Sequence, residues 1–433
     1  MFELKNPRGT IDYLPQQQKV RQDILRKLQD VFEKYGYQPL ESPILCHFDV
    51  LASKYAGGAE ILKEVYKLYD QGKRKLGLRY DLTVPFSKVV GLNPDMRMPF
   101  KRYEIGKVFR DGPVKTGRNR EFTQCDVDVV GVSSMLAEAE YFAMSVEVFK
   151  NFSLSIYISY NNRKLLFGLV DAAGIDADVA SSVILSLDKF EKIGREGVLN
   201  ELDEKGINRD SSEKLFSFIE MRPEELIQYL TQNPINDSIR DGIKEINELD
   251  MYVDAAGLSE YVRFSPFLAR GLEIYTGTIW EVFLTDGSIT SSLGGGGRYD
   301  KIIGGFLESD IEYPAVGMSF GLDVIYEVLK MKGEAGTAAP AQIFIIPMGT
   351  EKESFVLATD LRELGYNVDM EMTGRRVKRA LDYANKSDIP YVIIIGENEL
   401  IEKKFKVKNM VDGKESEVKF EELEGMMKDI IKD

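Results

Sequence analysis

The chain has 433 residues, enough for two or three domains with cores of their own. An apolar fraction of 44% beside a charged fraction of 29% fits a folded chain rather than a disordered one. The formal net charge of -14 argues against a protein coated by nucleic acid, although a local cluster of Lys and Arg would still bind phosphate.

In chain order, Met1–Lys5 has no apolar run after a basic segment and does not read as a secretory signal. No stretch approaches the roughly 20 apolar residues of a membrane span, so the expected location is the cytoplasm. Val20, Ile24, Leu28, Val31 and Tyr35 recur at helical spacing over Gln16–Tyr35, and Gly36 follows as a stop signal. Pro39–Leu45 reads as an extended edge piece, because each residue before a proline is pushed out of the helical region. Cys46 and Cys125 are the two cysteines and His47 the single histidine. They give no disulfide framework, no zinc signature and no nucleophile-elbow context for a Ser-His-Asp site.

From Lys101 the chain turns strand-like, with turns at Asp111-Gly112-Pro113 and around Thr116-Gly117, and runs extended through Val130, which predicts a hairpin. In the second arm Arg118, Arg120, Phe122, Gln124, Asp126 and Asp128 share one parity, and Cys125, Val127 and Val129 the other. One face is apolar and the other polar. A polar face is often simply solvated. Alternatively Arg110, Arg118 and Arg120 would wrap a polyphosphate and Phe122 a purine, while Asp126 and Asp128 would bind an ammonium group or neutralise the arginines.

Helical period returns over 135–150, and 165–255 reads as an inserted, largely helical subdomain. Strand patterning resumes over Arg263–Phe283. Gly294–Gly297 lacks the Lys and Ser/Thr of a phosphate-binding loop, so it is either a close approach to ligand or a tight connection between strands. Phe320–Leu329 is a predicted helix, and Lys332–Pro340 the clearest linker. Beyond it, strands alternating with helices predict a separate α/β domain, with Arg375, Arg376, Lys378 and Arg379 on one short helix that places 375 and 379 on a shared face.

Nearly the whole chain resembles histidyl-tRNA synthetases, a class II aminoacyl-tRNA synthetase family. Pro7-Arg8-Gly9-Thr10 is similar to the family opening, Gly36–Pro43 to motif 1 of the dimer interface, and Phe109–Asp128 to the ATP-binding hairpin of motif 2. Leu268–Gly277 and Gly295–Asp300 resemble the two histidine-specific signatures.

The resemblance implies an α+β fold. A class II catalytic domain at 1–329, with an antiparallel sheet and the helical insertion, would be followed by a linker at 330–340 and an anticodon-binding domain at 341–433. It implies a cytoplasmic homodimer that attaches L-histidine to tRNA(His) through histidyl-adenylate, using ATP with Mg²⁺ and no metal-binding cluster of its own. Arg110 and Arg270 would act on the α-phosphate as catalytic groups, and Arg118 and Phe122 on ATP. Asp81, Thr83, Gln124 and Asp128 would surround histidine, the acidic groups and their neighbours favouring its ammonium, with Tyr275 and Tyr299 lining its imidazole. The basic group at 375–379 would meet tRNA.

Three positions depart from the family pattern. Val324 stands where motif 3 has an ATP-contacting arginine, making Arg298 the candidate substitute; the Asp111–Pro113 turn is one residue short; and Glu273-Ile274 replaces Asp-Tyr. These departures keep a second reading open, a synthetase-like regulatory subunit of ATP phosphoribosyltransferase.

Overall fold

The computed structural model describes residues 3–53, 62–114, 119–269, 274–307, 311–333, 339–419, 422 and 425, excepting the side chain of Glu191. Packing divides the chain into two units, one built from Met1–Asp12 and Asp23–Lys332, the other from Tyr13–Gln22 and Gly333–Asp433.

The first helix, α1 (Pro15–Lys34), starts on a proline whose missing N–H costs nothing there. It buries Ile24, Leu28 and Val31 as the spacing requires. Gly36, at φ +80°, ends it, and Tyr37 N–H closes back on the Phe32 carbonyl at 3.0 Å. The extended piece that follows contributes β1 (Gln38–Pro39), which lies parallel at the edge of the main sheet, where proline is tolerated. Next, β2 (Leu45–His47), β3 (Lys67–Tyr69) and β4 (Lys75–Leu78) form a small sheet in the order β2-β4-β3. His47 is exposed on β2.

The hairpin forms as its alternation predicts. Strand β5 (Phe100–Phe109) pairs antiparallel with β6 (Glu121–Val130) over an unbroken register from Phe100↔Val130 to Phe109↔Glu121. The remaining strands of this sheet are β7 (Ile156–Asn162), β8 (Val262–Phe264), β9 (Thr278–Leu284), β10 (Gly294–Arg298) and β11 (Ala315–Gly321). Among the described residues the order is β1-β5-β6-β11-β10-β9-β7-β8. Helix 136–150 packs on this sheet, its Tyr141 hydroxyl donating to the Val316 carbonyl of β11 at 3.0 Å and its Phe142 meeting Trp280 of β9 edge-on. Helices fill 163–255 between β7 and β8. The element predicted at Phe320–Leu329 begins later, at Leu322, because β11 runs on to Gly321.

The glycine run is neither a loop nor a tight connection. Gly294–Gly297 are themselves strand, paired to β11 on one side and β9 on the other. Glycine is needed because the neighbouring strand and side chains lie close on the backbone: a Cβ on Gly296 would stand 2.1 Å from the Gly317 carbonyl oxygen and 2.7 Å from the Trp280 ring, and one on Gly297 2.5 Å from Tyr275.

The second unit carries its own sheet, with β12 (Ile343–Met348), β13 (Val368–Met370), β14 (Tyr391–Gly396), β15 (Lys404–Asn409) and β16 (Glu415–Lys419) in the order β13-β12-β14-β15-β16. Ile343 and Ile345 bury one face against Ala358 and Leu361 of helix 351–363. Phe344 and Ile346 bury the other against Ala380 and Ala384 of helix 377–386, as a strand between two parallel neighbours under helices on both faces requires.

Candidate functional site

The polar parity of β6 faces a second row of charges that its own alternation does not reveal. Arg102 of β5 is the register partner of Asp128, and Glu104 that of Asp126; on the other side β11 sets Gly317 beside Asp128, Ser319 beside Asp126 and Gly321 beside Gln124. Arg102 is completely buried, with Nη2 at 2.9 Å from Asp128 Oδ2 and its guanidinium over the Phe86 ring. Arg79 pairs with Glu104 at 2.8 Å and donates to the Ser42 carbonyl, which Gly106 permits by leaving room for the guanidinium. Burial works against the Arg102 charge, but Asp128, Asp126 and Glu104 together outweigh it and raise its pKa above the ordinary arginine value. The arginine that neutralises Asp128 is therefore Arg102 of the first arm, whereas Arg110 and Arg120 are engaged at the hairpin end.

Two cross-strand glycines make the floor beside this row. Gly297 and Gly317 are register partners. The Tyr275 ring lies on Gly297 and the Tyr299 ring on Gly317, where an added Cβ would also stand 2.0 Å from Asp128 Oδ1. The Tyr299 hydroxyl donates to Asp128 Oδ1. Burial and then the Asp128 charge raise the Tyr299 pKa well above the usual phenol value, so it stays a donor. Asp81 accepts the Val84 N–H at 3.0 Å at the start of helix 83–92, which also begins with the half-buried Thr83. Gln124 donates to Ser319 Oγ at 3.3 Å, while its Oε1 and Asp126 Oδ1 are buried without a hydrogen-bond partner among the described residues. The structure thus brings Asp81, Thr83, Gln124, Asp128, Tyr275 and Tyr299 to the sheet's polar side and the segments that border it.

At the hairpin end, the Arg110 guanidinium stands 4.2 Å from the Tyr80 ring centroid and 4.9 Å from that of Phe122. This joins a cation to an aromatic shelf. Arg120 spends its side chain within the loop, on Asp111 at 3.4 Å and the Gly112 carbonyl at 3.2 Å, and its N–H ties Gly9 to the hairpin at 2.8 Å. Arg118 and Arg270 lie outside the described residues. The chain on either side of 270 is held by β7 and the helix that follows it. Asn161 Nδ2 donates to the Pro266 and Leu268 carbonyls, Arg163 Nη1 to Ala269 O, and Arg163 N to Gly277 O. Residues 265–269 and 274–277 are irregular rather than one continuous strand, so parity counted from Arg263 to Phe283 does not relate position 270 to Tyr275.

Arg298 is not the substitute cation. It belongs to the opposite parity of β10, is buried, and donates to Glu138 through Nε at 2.7 Å and Nη2 at 2.9 Å, to Val132 O and to Ser134 O. Its donors are spent beneath the sheet. Val324 lies on helix 322–331 close to Gly321, at the Gln124 end of the polar row, and presents only methyl groups there.

In the second unit the basic helix begins at Val377, not at 375, with Arg376 at its N-cap. Arg375 therefore does not share a helical face with Arg379; its N–H bonds to Glu371 and its guanidinium pairs with Glu371 at 3.5 Å and lies over Tyr383. Arg376, Lys378 and Arg379 are exposed around the helix N-terminus, where free N–H groups already favour an anion.

The arrangement is suited to holding a cationic group among carboxylates and a flat anion-bearing ring at the hairpin end. It works by positioning and charge. Sequence reasoning missed Arg79, Arg102, Glu104 and Asn161. The signal for Arg102 and Glu104 was the first arm's own alternation, which becomes informative once the hairpin register is known.

Comparison with known proteins gives concordant results. The histidyl-tRNA synthetase family model matches residues 9–325, and the anticodon binding domain model residues 342–430. The chain is 51% identical over 418 residues to histidine--tRNA ligase 1 of Bacillus anthracis, covering 96% of this chain and 98% of that one. The crystal structure of histidyl-tRNA synthetase from Nostoc sp. PCC 7120 superposes with a TM-score of 0.87 at 28% identity, covering 100% of both chains. An ATP phosphoribosyltransferase regulatory subunit/histidyl-tRNA synthetase from Bacillus halodurans C shares the fold at a TM-score of 0.75 and 21% identity, over 88% of this chain and 97% of that one.

Proposed function

The chain belongs to the histidyl-tRNA synthetase family, and from that premise we propose how its residues divide the work of joining histidine to tRNA. The observation that carries the assignment is the buried Arg102–Asp128–Tyr299 arrangement over the Gly297–Gly317 floor. Asp128 and the two tyrosines receive the imidazole, and Asp81, Thr83 and Gln124 surround the α-ammonium. Arg110, already stacked between Tyr80 and Phe122, reaches the α-phosphate while Phe122 packs on adenine.

The histidine carboxylate attacks the α-phosphorus and displaces pyrophosphate, giving histidyl-adenylate. Arg110 and Arg270 stabilise charge on the transferring group, and Arg118 adds a contact to the phosphates. The 3′-hydroxyl of the terminal adenosine of tRNA(His) then attacks the activated carbonyl, and AMP leaves. No protein nucleophile is required.

Among the described residues there is no group of three or more His, Cys, Asp or Glu placed to hold a metal. Mg²⁺ held chiefly by phosphate and water oxygens would neutralise charge on ATP. With Val324 apolar and Arg298 engaged by Glu138, the Arg110 shelf carries a larger share of nucleotide binding than its family counterpart.

Arg376, Lys378 and Arg379, with Arg375 beside them, meet the tRNA backbone. We place the catalytic domain at 1–329 with its insertion at 165–255, a linker at 330–340 and the anticodon-binding domain at 341–433, in a cytoplasmic homodimer. The regulatory-subunit reading is less supported, since an anticodon binding domain model matches 342–430 and the Bacillus halodurans likeness shows the fold alone.

Charging of total tRNA with labelled histidine tests the reading. Histidyl-tRNA should accumulate with ATP and Mg²⁺; folded protein that forms neither histidyl-tRNA nor histidine-dependent exchange of pyrophosphate into ATP would overturn it.

A further inference from the structure

One carboxyl on the polar face has neither an ion pair nor an N–H partner among the described residues. Glu104 has Arg79 at 2.8 Å, Asp128 has Arg102 at 2.9 Å, and Asp81 takes the Val84 N–H at 3.0 Å at a helix start. Asp126 stands among them 4% exposed, and its Oδ1 has no hydrogen-bond partner among the described residues. The groups that face it are Gln124 and Asp128 on β6, Arg102 and Glu104 on β5, Ser319 on β11, Asp81 before helix 83–92, and Tyr299 after β10. Those groups include one guanidinium, Arg102, for four carboxyls, counting Asp126 itself; Arg79 stands on Glu104.

A buried carboxylate without compensation is costly, so the pocket shifts this group toward its protonated form. Burial, and next the charge on Asp128, pushes Asp126 up to about 7. The Ser319 hydroxyl links it to Gln124, accepting from Gln124 Nε2 at 3.3 Å and donating to Asp126.

We propose that Asp126 is a further substrate-discriminating residue, a buried carboxyl that gives up its proton when the α-ammonium of the substrate enters the pocket. The proposal rests on the reading of this face as the histidine site. In the step, the carboxyl O–H bond breaks, its proton passes to solvent, and the carboxylate left behind faces the ammonium; no covalent bond to substrate forms. The ammonium, rather than the imidazole, is the partner because Asp126 is joined through Ser319 to Gln124 and faces Asp81, whereas the Tyr299 hydroxyl already engages Asp128. A ligand with the same ring but no ammonium supplies no charge to compensate.

Calorimetric titration of the full chain at pH 7, in buffers of different ionisation enthalpy, counts the protons released on binding. Histidine should release about half a proton more per site from the unaltered protein than from Asp126→Asn, as expected for a group titrating near that pH. Imidazolepropionate, which lacks the ammonium, should show no such excess. The proposal is overturned if folded Asp126→Asn releases as many protons with histidine as the unaltered protein, or if the excess of the unaltered protein over Asp126→Asn is as large with imidazolepropionate as with histidine. Failure of histidine to bind at all would instead overturn the functional reading on which the proposal rests.

Discussion

Replacing Gly317 by alanine tests the pocket through one methyl group. The added Cβ would stand 2.0 Å from Asp128 Oδ1 and 3.1 Å from the Tyr299 ring, against an ordinary contact of at least 3.4 Å. The carboxylate must therefore retreat by about 1.4 Å, the difference between 3.4 and 2.0. That shift takes it off the Tyr299 hydroxyl and out of line with Arg102 Nη2. A hydrogen bond to a charged group contributes about 1.5–3 kcal/mol. At about 1.4 kcal/mol per tenfold, kcat/KM for histidine in pyrophosphate exchange should fall roughly 10- to 100-fold. The KM for ATP should change little, because the Arg110 shelf is at the other end of the row. A histidine kcat/KM within twofold of the unaltered protein, with the fold intact, would refute the placement of Asp128 at the substrate ring.

Arg110→Ala should raise the KM for ATP and depress exchange by at least about tenfold, as removal of a charge-stabilising group does; unchanged ATP kinetics would remove its role. Arg298→Met should act on stability instead, leaving Glu138 buried without its partner at a cost of about 3–5 kcal/mol, read as a lowered melting temperature. A selective ATP defect in a protein of normal stability would return Arg298 to the nucleotide site. Changing Arg376, Lys378 and Arg379 together to alanine should weaken tRNA in charging assays while pyrophosphate exchange is unaffected, and equal loss in both would contradict a role confined to RNA. For the ligand-free protein, Asp126 is raised to about 7 in the fold, so its contribution to stability is full below the ordinary aspartate range and is lost as pH rises toward and through 7. Melting temperature should decline across that window less in Asp126→Asn than in the unaltered protein.

The hairpin was legible because period-2 alternation in β6 is the direct mark of a strand with unlike faces. Helix 15–34 was legible for the corresponding reason, a stripe ended by glycine. What alternation cannot give is the partner strand: Arg102 looked like any charge near a strand start until its register opposite Asp128 made it the counter-ion. Gly294–Gly297 misled because glycine is depleted in strands, and here tertiary packing of Trp280 and Tyr275 against the backbone overrides that preference. Arg298 misled through position alone. Adjacent residues on a strand point to opposite faces, so Tyr299 beside it entered the pocket region while Arg298 went to Glu138 beneath the sheet. The basic group at 375–379 was visible as composition, but the helix start at Val377 was not, and it separates Arg375 from the rest.

The most direct test of the account is ATP–pyrophosphate exchange driven by each of the standard amino acids in turn, with Mg²⁺ present. Histidine should support exchange well above every other amino acid, and Asp128→Ala should abolish that preference. Exchange that is absent with histidine, or equally rapid with another amino acid, would contradict the assignment of the Asp128–Tyr299–Tyr275 pocket to the imidazole ring.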